Sequence, residues 1–438
     1  MSAGVPFIDL DLTPPVDRRA PISLRERLVP PRPVLVALVV LAALALLTAG
    51  VPARRTMRLL LSAGGQPAAA FELTDGALFT ASFGNNPNSE SGVRRYDLAA
   101  GTLSWAVALP QNVQNLIYDG TSHVLMGRSG AEPKVAFLDA DTGESLWRDE
   151  SPNTIVWTMG GGHVLLASDV SDDARLIRLV DARTGRQLWS RSVDANGYFG
   201  TDADQDGQVP TRVIAADKSG HTLVLNYADG RALAEGDLGI DLSVRFDNSA
   251  GVDFAGASQV GGTLYVSSRT SGVTSLSAWA VDTMTRRWQV TGGPAGNAQD
   301  CGRVVCVIED GGVSALDPAT GRTLWRQPGY GLTYRYDERT LVAYGPGDVP
   351  QAVLLDPATG AVRERLGGSI DLAGVLLRGD AVRMGRTWVE VPGTDGDLHV
   401  VGGMDTAAPY GCDRAGPYLA CPTTAGPTQV WQLPGYLT

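Results

Sequence analysis

From Phe71 to the end of the chain, apolar and polar residues alternate in short runs, and turns rich in Gly, Asp and Asn separate the runs. The stretch Gly161–Val193 shows the pattern in full, with the runs "GGHVLLAS", "ARLIRLVDARTG" and "RQLWSRSV". Alternation with a period of two is typical of strands, and turn residues between such runs indicate hairpins. The pattern therefore predicts an all-β domain over residues 71–438.

The runs belong to a repeated unit of about forty residues, which is the spacing expected of a repeat architecture. Two units, Asn226–Gly236 and Leu355–Glu364, keep the turn but lack a tryptophan. In the other motif copies a tryptophan lies on the last predicted strand, where a large flat side chain can fill the gap between neighbouring sheets. These predicted blade-docking residues are Trp105, Trp147, Trp189, Trp288 and Trp325.

The turn before the tryptophan has nearly the same sequence in three copies: "LDADTGESLW" (Leu138–Trp147), "VDARTGRQLW" (Val180–Trp189) and "LDPATGRTLW" (Leu316–Trp325). The Asp carboxylate can accept hydrogen bonds from the turn, and the Gly can take the positive φ that a hairpin bulge requires. A ligand site is needed once, whereas this string recurs. We therefore interpret it as architecture, and not as a cofactor or calcium site.

The string D-x-x-T-G-x-x-x-W at this spacing resembles the PQQ-type β-propeller repeat. The resemblance implies a propeller of four-stranded blades. That family includes quinone-dependent alcohol and glucose dehydrogenases, but also cofactor-free propellers such as the scaffold lipoprotein of outer-membrane protein assembly. We expect about eight blades, with seven and nine as alternatives, because Asp371–Thr438 contains two degenerate units. The stretch Thr56–Gly65 is the candidate for a strand that closes the ring.

The features of the quinone-dependent enzymes are absent from the sequence. It contains no adjacent cysteine pair and no C-x-x-C-H haem site. No catalytic residue, PQQ or other cofactor is therefore expected, and a dehydrogenase-like enzyme or a ligand sensor at the central channel is the alternative function. The four histidines, which lack ligand spacing, are His123, His163, His221 and His399.

One loop, Thr201–Val213, contains a D-x-D-x-D-G string that could place several oxygens around a calcium ion. The metal candidates are Asp202, Asp204, Asp206 and, through its carbonyl, Gln208. The closing carboxylate of such loops is missing, because Pro210 and Val213 occupy the later ligand positions. The sequence favours a solvated acidic loop and leaves a weak calcium site as the alternative.

All four cysteines follow the apolar N-terminal stretch and form two close pairs, Cys301 with Cys306 and Cys412 with Cys421. Neither pair has the C-x-x-C spacing of a redox motif. We predict two structural disulfides, each of which joins two neighbouring strands, and they suit an oxidising compartment.

The N-terminal region predicts a membrane anchor, and a signal peptide is the weaker alternative because the apolar run is long and follows a 33-residue polar leader. Val34–Val51 is an apolar run, and no charge occurs between Arg32 and Arg54. This charge-free stretch is long enough to span a bilayer as a helix. More arginines precede the run than follow it, so we expect the N-terminus to be cytoplasmic and the propeller to be extracytoplasmic. The predicted organisation is a disordered tail (1–32), a transmembrane helix (33–52), a linker with the closing strand (53–70) and the propeller (71–438).

Charge and composition narrow the class of partner. The net charge is -11, and only Lys134 and Lys218 are lysines, which argues against a nucleic-acid partner. We therefore predict a single-pass cell-membrane protein whose propeller is a non-catalytic scaffold for a protein or another ligand. A protein partner is expected on a face of the propeller.

Overall fold

Thirty-six strands, labelled β1–β36 in chain order, make up nearly all the regular structure that the computed structural model describes. They belong to one compact unit that begins at Thr56. The predicted tail and transmembrane helix lie outside the described residues. Among those that are described, no helix is long and apolar enough to cross a bilayer. The described ranges are 56–63, 68–82, 92–109, 113–129, 134–151, 154–171, 174–194, 196–202, 209–243, 253–309, 311–337, 339–345, 351–367, 369–372, 375–379, 386–392, 398–405, 411–423 and 426–434.

Within these ranges the strands form nine four-stranded antiparallel sheets, the blades. Blades 1 to 3 are β2 (Ala68–Leu73), β3 (Ala77–Ser82), β4 (Gly92–Asp97) and β5 (Thr102–Ala108); β6 (Val113–Asp119), β7 (Val124–Ser129), β8 (Val135–Asp139) and β9 (Ser145–Asp149); and β10 (Thr154–Gly160), β11 (His163–Asp169), β12 (Ala174–Asp181) and β13 (Gln187–Asp194). Blades 4 to 6 are β14 (Tyr198–Thr201), β15 (Arg212–Ala216), β16 (His221–Asn226) and β17 (Ala232–Asp237); β18 (Phe254–Val260), β19 (Thr263–Thr270), β20 (Val273–Ala280) and β21 (Thr285–Thr291); and β22 (Asn297–Cys301), β23 (Val304–Glu309), β24 (Gly312–Leu316) and β25 (Thr323–Pro328). Blades 7 to 9 are β26 (Leu332–Asp337), β27 (Thr340–Tyr344), β28 (Ala352–Leu355) and β29 (Val362–Gly367); β30 (Ser369–Leu372), β31 (Val375–Gly379), β32 (Arg386–Pro392) and β33 (Leu398–Asp405); and β34 (Asp413–Ala415), β35 (Tyr418–Pro422), β36 (Thr428–Gln432) and β1 (Arg58–Ala63).

The first strand of each blade is the innermost, since the first strands of neighbouring blades contact one another, as β2 does with β6 and with β34. The middle strands are buried on both sides because a blade covers each side. All five residues of β8 are buried. The outermost strand keeps an alternating pattern of exposure, as in β5. Burial by two neighbours explains why the middle strands read as continuous apolar runs, and not as strict alternation.

A separate hydrophobic cluster of described residues lies at each of the nine blade interfaces. The cluster between blades 3 and 4, for example, contains Leu165 and Phe199. The cluster between blades 9 and 1 joins Leu61 and Val430 of blade 9 to Leu78 of blade 1, so the series of interfaces closes into a ring. The core of this protein is therefore a ring of inter-blade layers.

The predicted number of eight blades is wrong, and the alternative of nine is correct. The stretch Thr56–Gly65, considered for ring closure, contains β1, which pairs antiparallel with β36. Blade 9 therefore takes three strands from the C-terminal end and its outermost strand from the N-terminal end. The terminal stretch looked like half a unit because β1 lies more than 350 residues away in sequence and carries no motif.

Antiparallel pairing assigns the loops to two faces of the ring. Loops that join the first strand to the second, and the third to the fourth, lie on one face, which we call the turn face because it contains the Asp–Thr–Gly turns. The other loops lie on the opposite face. The acidic loop between β14 and β15 belongs to the turn face, since it joins the first two strands of blade 4.

Candidate functional site

The repeated turn is held by its aspartate. Oδ1 of Asp139 accepts hydrogen bonds from the backbone N–H groups of Asp141 and Thr142 and from the Thr142 hydroxyl. The backbone N–H of Gly143 bonds to the Asp139 carbonyl, and Gly143 has a φ of 77°. Burial works to raise the pKa of Asp139, but hydrogen bonds from Arg183 and from the turn outweigh it and lower that pKa below its ordinary value.

The same turn chemistry occurs in other blades. Burial opposes ionisation of Asp181, yet bonds from Thr184 lower its pKa. The pKa of Asp317 is lowered by the Ala319 N–H and the Thr320 hydroxyl, and that of Asp356 by Arg363 and the turn N–H groups. The perturbed carboxylates of the motif therefore belong to turns. They do not converge on one place.

Each motif tryptophan docks its blade onto the turn of the next blade. The indole Nε1–H of Trp147 donates to the Ala182 carbonyl at 2.8 Å, and a Cβ on Gly185 would lie 2.7 Å from the Trp147 ring. The glycine is thus required twice, for its positive φ and for the space that the ring occupies. The same pair of contacts joins Trp105 to Ala140 and Gly143, Trp189 to Tyr227 and Gly230, Trp288 to Pro318 and Gly321, and Trp325 to Pro357 and Gly360.

At two interfaces without a tryptophan, the large side chain comes from the second blade and the small residue from the first. Strand pairing places Ala234 of blade 4 at the tryptophan position and Met284 of blade 5 at the glycine position. Met284 has a φ of 49° and is 5% exposed in the cluster between these blades, and Ala234 packs against the same cluster. In the same way Gly402 of blade 8 faces Met57, which precedes β1. Sequence reasoning missed this exchange, although methionine at a glycine position was its signal.

Ion pairs between blades add a second set of contacts that the sequence did not indicate. Arg183 of blade 3 bonds to Asp139 of blade 2. Arg178 of blade 3 bonds to Asp149 of blade 2, whose side chain is almost completely buried. The pairs link residues that are about thirty to forty positions apart in sequence, so they hold neighbouring blades in register.

Both predicted disulfides are confirmed. Cys301 bonds to Cys306, and Cys412 to Cys421. Each joins the innermost strand of a blade, or the residue before it, to the second strand: β22 to β23 in blade 6, and the start of β34 to β35 in blade 9. The first crosslink lies at the turn-face end of its inner strand and the second at the opposite end, so the two are not at equivalent positions.

Of the metal candidates, only Asp202 lies within the described residues; Asp204, Asp206 and Gln208 do not. The Asp202 carboxylate accepts hydrogen bonds from the backbone N–H groups of Thr211 and Arg212, from the Thr211 hydroxyl and from the Arg212 guanidinium. Arg212 also pairs with Asp282 of blade 5. Asp202 therefore closes the base of the acidic loop. The calcium site remains a prediction.

The histidines lie on different blades. Nδ1 of His123 is 3.1 Å from Asp141, and Nε2 of His221 is 3.1 Å from Glu235, with all four side chains more than half exposed. His163 begins β11 and His399 lies on β33. Among the described residues no three His, Cys, Asp or Glu side chains form a group that could hold a metal ion.

An exposed aromatic side chain lies on an innermost strand. Trp157 is 38% exposed on β10, at a bulge between Val156 and Thr158. Its ring meets that of Phe199 edge-on, with centroids 4.6 Å apart. Gln114 and Asn115 are exposed on β6, the neighbouring innermost strand. Bulges often redirect a side chain next to a functional site. Trp157 is the one exposed aromatic residue on an innermost strand among the side chains that the structure describes.

The sequence of the chain matches one family of known proteins. A family model described as outer membrane protein assembly factor BamB, a PQQ-type repeat model, matches residues 89–327 and 309–366. None of the curated proteins compared matches the chain.

Solved structures resemble the chain at low identity. A structure described as the eukaryotic initiation factor has 10% identity and a TM-score of 0.56, covering 82% of this chain and 94% of its own. BamB from Moraxella catarrhalis has 14% identity and a TM-score of 0.45, covering 86% and 100%. The computationally designed Ika8 protein has 13% identity and a TM-score of 0.46, covering 86% and 100%. At such identities the likeness concerns the fold alone.

Proposed function

The chain belongs to the PQQ-like β-propeller repeat family that is described by outer membrane protein assembly factor BamB, and we propose that it is a membrane-anchored, extracytoplasmic scaffold that binds a protein partner without catalysis. The observation that carries the proposal is that the motif residues have structural contacts. The motif aspartates, glycines and tryptophans are engaged in turns and blade interfaces. They build the turns and the blade interfaces of a ring with two faces.

The shifted pKa values in the described residues support a non-catalytic role. Burial raises the pKa of Tyr198 to about 12 and that of Tyr265 to about 12. The lowered carboxylates are turn residues such as Asp139 and Asp217, where hydrogen bonds from the turn outweigh burial. An acid–base pair for catalysis normally combines shifted groups in one cleft. Here burial explains the raised pKa values of the tyrosines, and hydrogen bonds within the turns explain the lowered pKa values of the aspartates.

The anchor is proposed from the N-terminal sequence. The charge-free stretch between Arg32 and Arg54 has the length of a bilayer span, and the arginine bias favours a cytoplasmic N-terminus. The two disulfides fit a propeller outside the cytoplasm, because disulfides persist in oxidising compartments.

Thiol labelling on intact cells tests the orientation. With its own cysteines in disulfides, the chain can carry one introduced thiol at Ser2→Cys or at Asp141→Cys. We expect an impermeant maleimide to label Asp141→Cys on intact cells and to label Ser2→Cys only after lysis. Labelling of Ser2→Cys alone on intact cells would reverse the orientation.

Site-specific photocrosslinking in the native membrane tests the scaffold. Val170 and Val273 lie on the opposite face and are 58% and 55% exposed, whereas Val209 lies on the turn face and is 49% exposed. A benzophenone amino acid at each position should capture the same protein from one face and not from the other. Absence of a crosslinked protein at all three positions, in cells that contain the folded chain, would contradict the scaffold.

The second candidate function is a ligand sensor in the ring interior, and Trp157 favours it. An exposed indole on an innermost strand is the type of aromatic surface that contributes to small-ligand sites. Replacing Trp157 by Ala should then abolish the ligand response and leave the photocrosslinks of the faces unchanged. If Trp157→Ala instead removes the crosslinked partner, the inner-strand residues belong to the protein-binding site.

A further inference from the structure

The outermost strand of each blade is an edge strand, because no further strand pairs with it on one side. Natural proteins protect such edges with charged side chains. Six of the nine outermost strands follow this rule within the described residues. Their interior charges include Arg148 on β9, Arg191 on β13, Glu235 on β17, Arg287 on β21, Arg326 on β25 and Glu364 on β29.

The three outermost strands around the ring closure differ. β33, β1 and β5 belong to the consecutive blades 8, 9 and 1. β5 contains no Asp, Glu, Lys or Arg. In β1 and β33 the only residues of these types are at a strand end, Arg58 in β1 and Asp405 in β33. Instead, each strand exposes a large aliphatic side chain: Leu59 is 50% exposed, Leu103 is 51% and Val400 is 54%. We call these three residues the apolar rim.

The apolar rim occupies one position of the repeat. Leu59, Leu103 and Val400 each lie two residues before the tryptophan position and at the same step of the strand pairing, next to the bulge. They therefore lie at the same height on the outside of the ring, near the turn face. In the six other blades this position holds Ser145, Gln187, Ala232, Arg286, Thr323 and Val362.

We propose that the apolar rim contacts the surface of a lipid bilayer. The inference rests on the proposed membrane anchor. Arg58 follows Val51, the end of the apolar stretch, by seven residues, which is at most about 25 Å of extended chain. Arg54, Arg55 and Arg58 follow the apolar stretch in sequence, and their positive charge suits anionic headgroups.

Geometry favours a lipid surface over a peptide. A partner strand that pairs with one sheet edge would cover only one of the three side chains, because they lie on three separate sheets. A bilayer surface can meet all three together, since aliphatic side chains at one height can enter the boundary between headgroups and acyl chains.

Fluorescence quenching in vesicles of phosphatidylcholine and phosphatidylglycerol tests the proposal with the full-length chain. The variants Leu103→Cys and Val400→Cys carry an NBD label on the rim. Leu324→Cys, on the outermost strand of blade 6, is the matched control, since Leu324 is 38% exposed. We expect lipid-borne nitroxide to quench the rim labels and their emission to shift to the blue. The Leu324→Cys label should be quenched by aqueous iodide instead.

The outcomes separate the rim from the anchor. If the chain resists alkaline extraction from the vesicles but lipid nitroxide quenches neither rim label more than the control, the rim contact is wrong and the anchor stands. If alkaline extraction releases the chain, the anchor fails and the rim contact fails with it. A Leu103→Cys label quenched without the Val400→Cys label would indicate contact through one edge strand and would also overturn the proposal.

Discussion

Met284 of blade 5 packs against Gly236 of blade 4 so closely that a Cβ on Gly236 would lie 2.6 Å from the Cβ of Met284. In five other interfaces a tryptophan from the first blade fills this gap and the second blade contributes glycine. Here the large side chain comes from the second blade. The repeat therefore conserves the filled volume of the interface and not the identity of the blade that fills it.

This exchange predicts a coupled pair. Ala234→Trp should destabilise the protein because the indole would meet Met284, and Met284→Gly should destabilise it because a buried side chain is lost. The double variant restores the usual tryptophan and glycine. It should therefore lose less free energy of unfolding than the two single losses added together, by about 1–3 kcal/mol. Urea unfolding of all four proteins measures the coupling energy. A value of zero would show that the two positions are independent.

Substitution of either member of the usual tryptophan–glycine pair should destabilise the protein. Trp147→Ala removes a large aromatic side chain that stacks on Phe137 with ring centroids 3.8 Å apart, and should cost about 3–5 kcal/mol. Gly185→Ala should also destabilise, because the added methyl would meet the Trp147 ring and the residue has a φ of 68°. Gly162→Ala is the control: its φ is 81°, but nothing lies within 4 Å of the added Cβ. Equal losses for the two glycine variants would show that φ alone matters.

The disulfides should stabilise the blades that they crosslink. Cys301 and Cys306 are five residues apart, and Cys412 and Cys421 are nine apart. The chain-entropy relation gives about 2–3 kcal/mol for each loop, with the larger value for the longer one. Replacing each pair by Ser and measuring the melting temperature tests the order. Loss of the blade 9 pair should lower it more, and the reverse order would contradict the entropic account.

Acid should weaken the link between blades 2 and 3. The pKa of Asp139 is lowered in the folded state, so its contribution is fully present above the unfolded value, about 3.9, and is lost as the pH falls through the folded value. Asp139→Asn should therefore cost about 1–3 kcal/mol at neutral pH and much less at the acid end of this range. Asp317→Asn in blade 6 is the comparison, because that carboxylate accepts its turn hydrogen bonds from the Ala319 N–H and the Thr320 hydroxyl. An identical effect of the two variants would show that Arg183 adds nothing.

Calcium binding by the acidic loop can be tested by melting. If Asp204 and Asp206 bind the ion, calcium should raise the melting temperature, with a dissociation constant of about 10⁻⁴ to 10⁻³ M because the closing carboxylate is missing. Asp204→Ala should remove the shift. Asp202→Asn should destabilise the loop even without calcium, since its carboxylate already accepts bonds from Thr211 and Arg212. Unchanged melting at millimolar calcium would leave a solvated loop.

The sequence predicted what lies within one repeat. The hydrogen bonds of Asp139, the positive φ of Gly143 and a Trp147 placed between sheets all follow from local turn and strand rules. The contacts between repeats were not accessible in the same way. That Trp147 meets Gly185, or that Arg178 reaches Asp149, depends on how adjacent sheets are offset, and a local pattern does not encode that offset.

The blade number failed for a related reason. β1 belongs to the last blade, but it precedes the first and lacks the turn string that marked the other units. Its Leu61 stands at the tryptophan position and Met57 at the glycine position, so the strand fits the repeat only once its pairing with β36 is known.

The pairing of β1 with β36 also sets an order in time during synthesis. Arg58 leaves the ribosome 374 residues before Gln432, to which its side chain donates a hydrogen bond. At roughly 5–20 residues per second, β1 waits about 20–75 s for its partner strand. Throughout that interval Leu59, Leu60 and Leu61 are an unpaired apolar segment in a nascent chain. Closure of the ring therefore requires capture of the first strand made, and protection of that strand during synthesis becomes a requirement that the finished ring no longer displays.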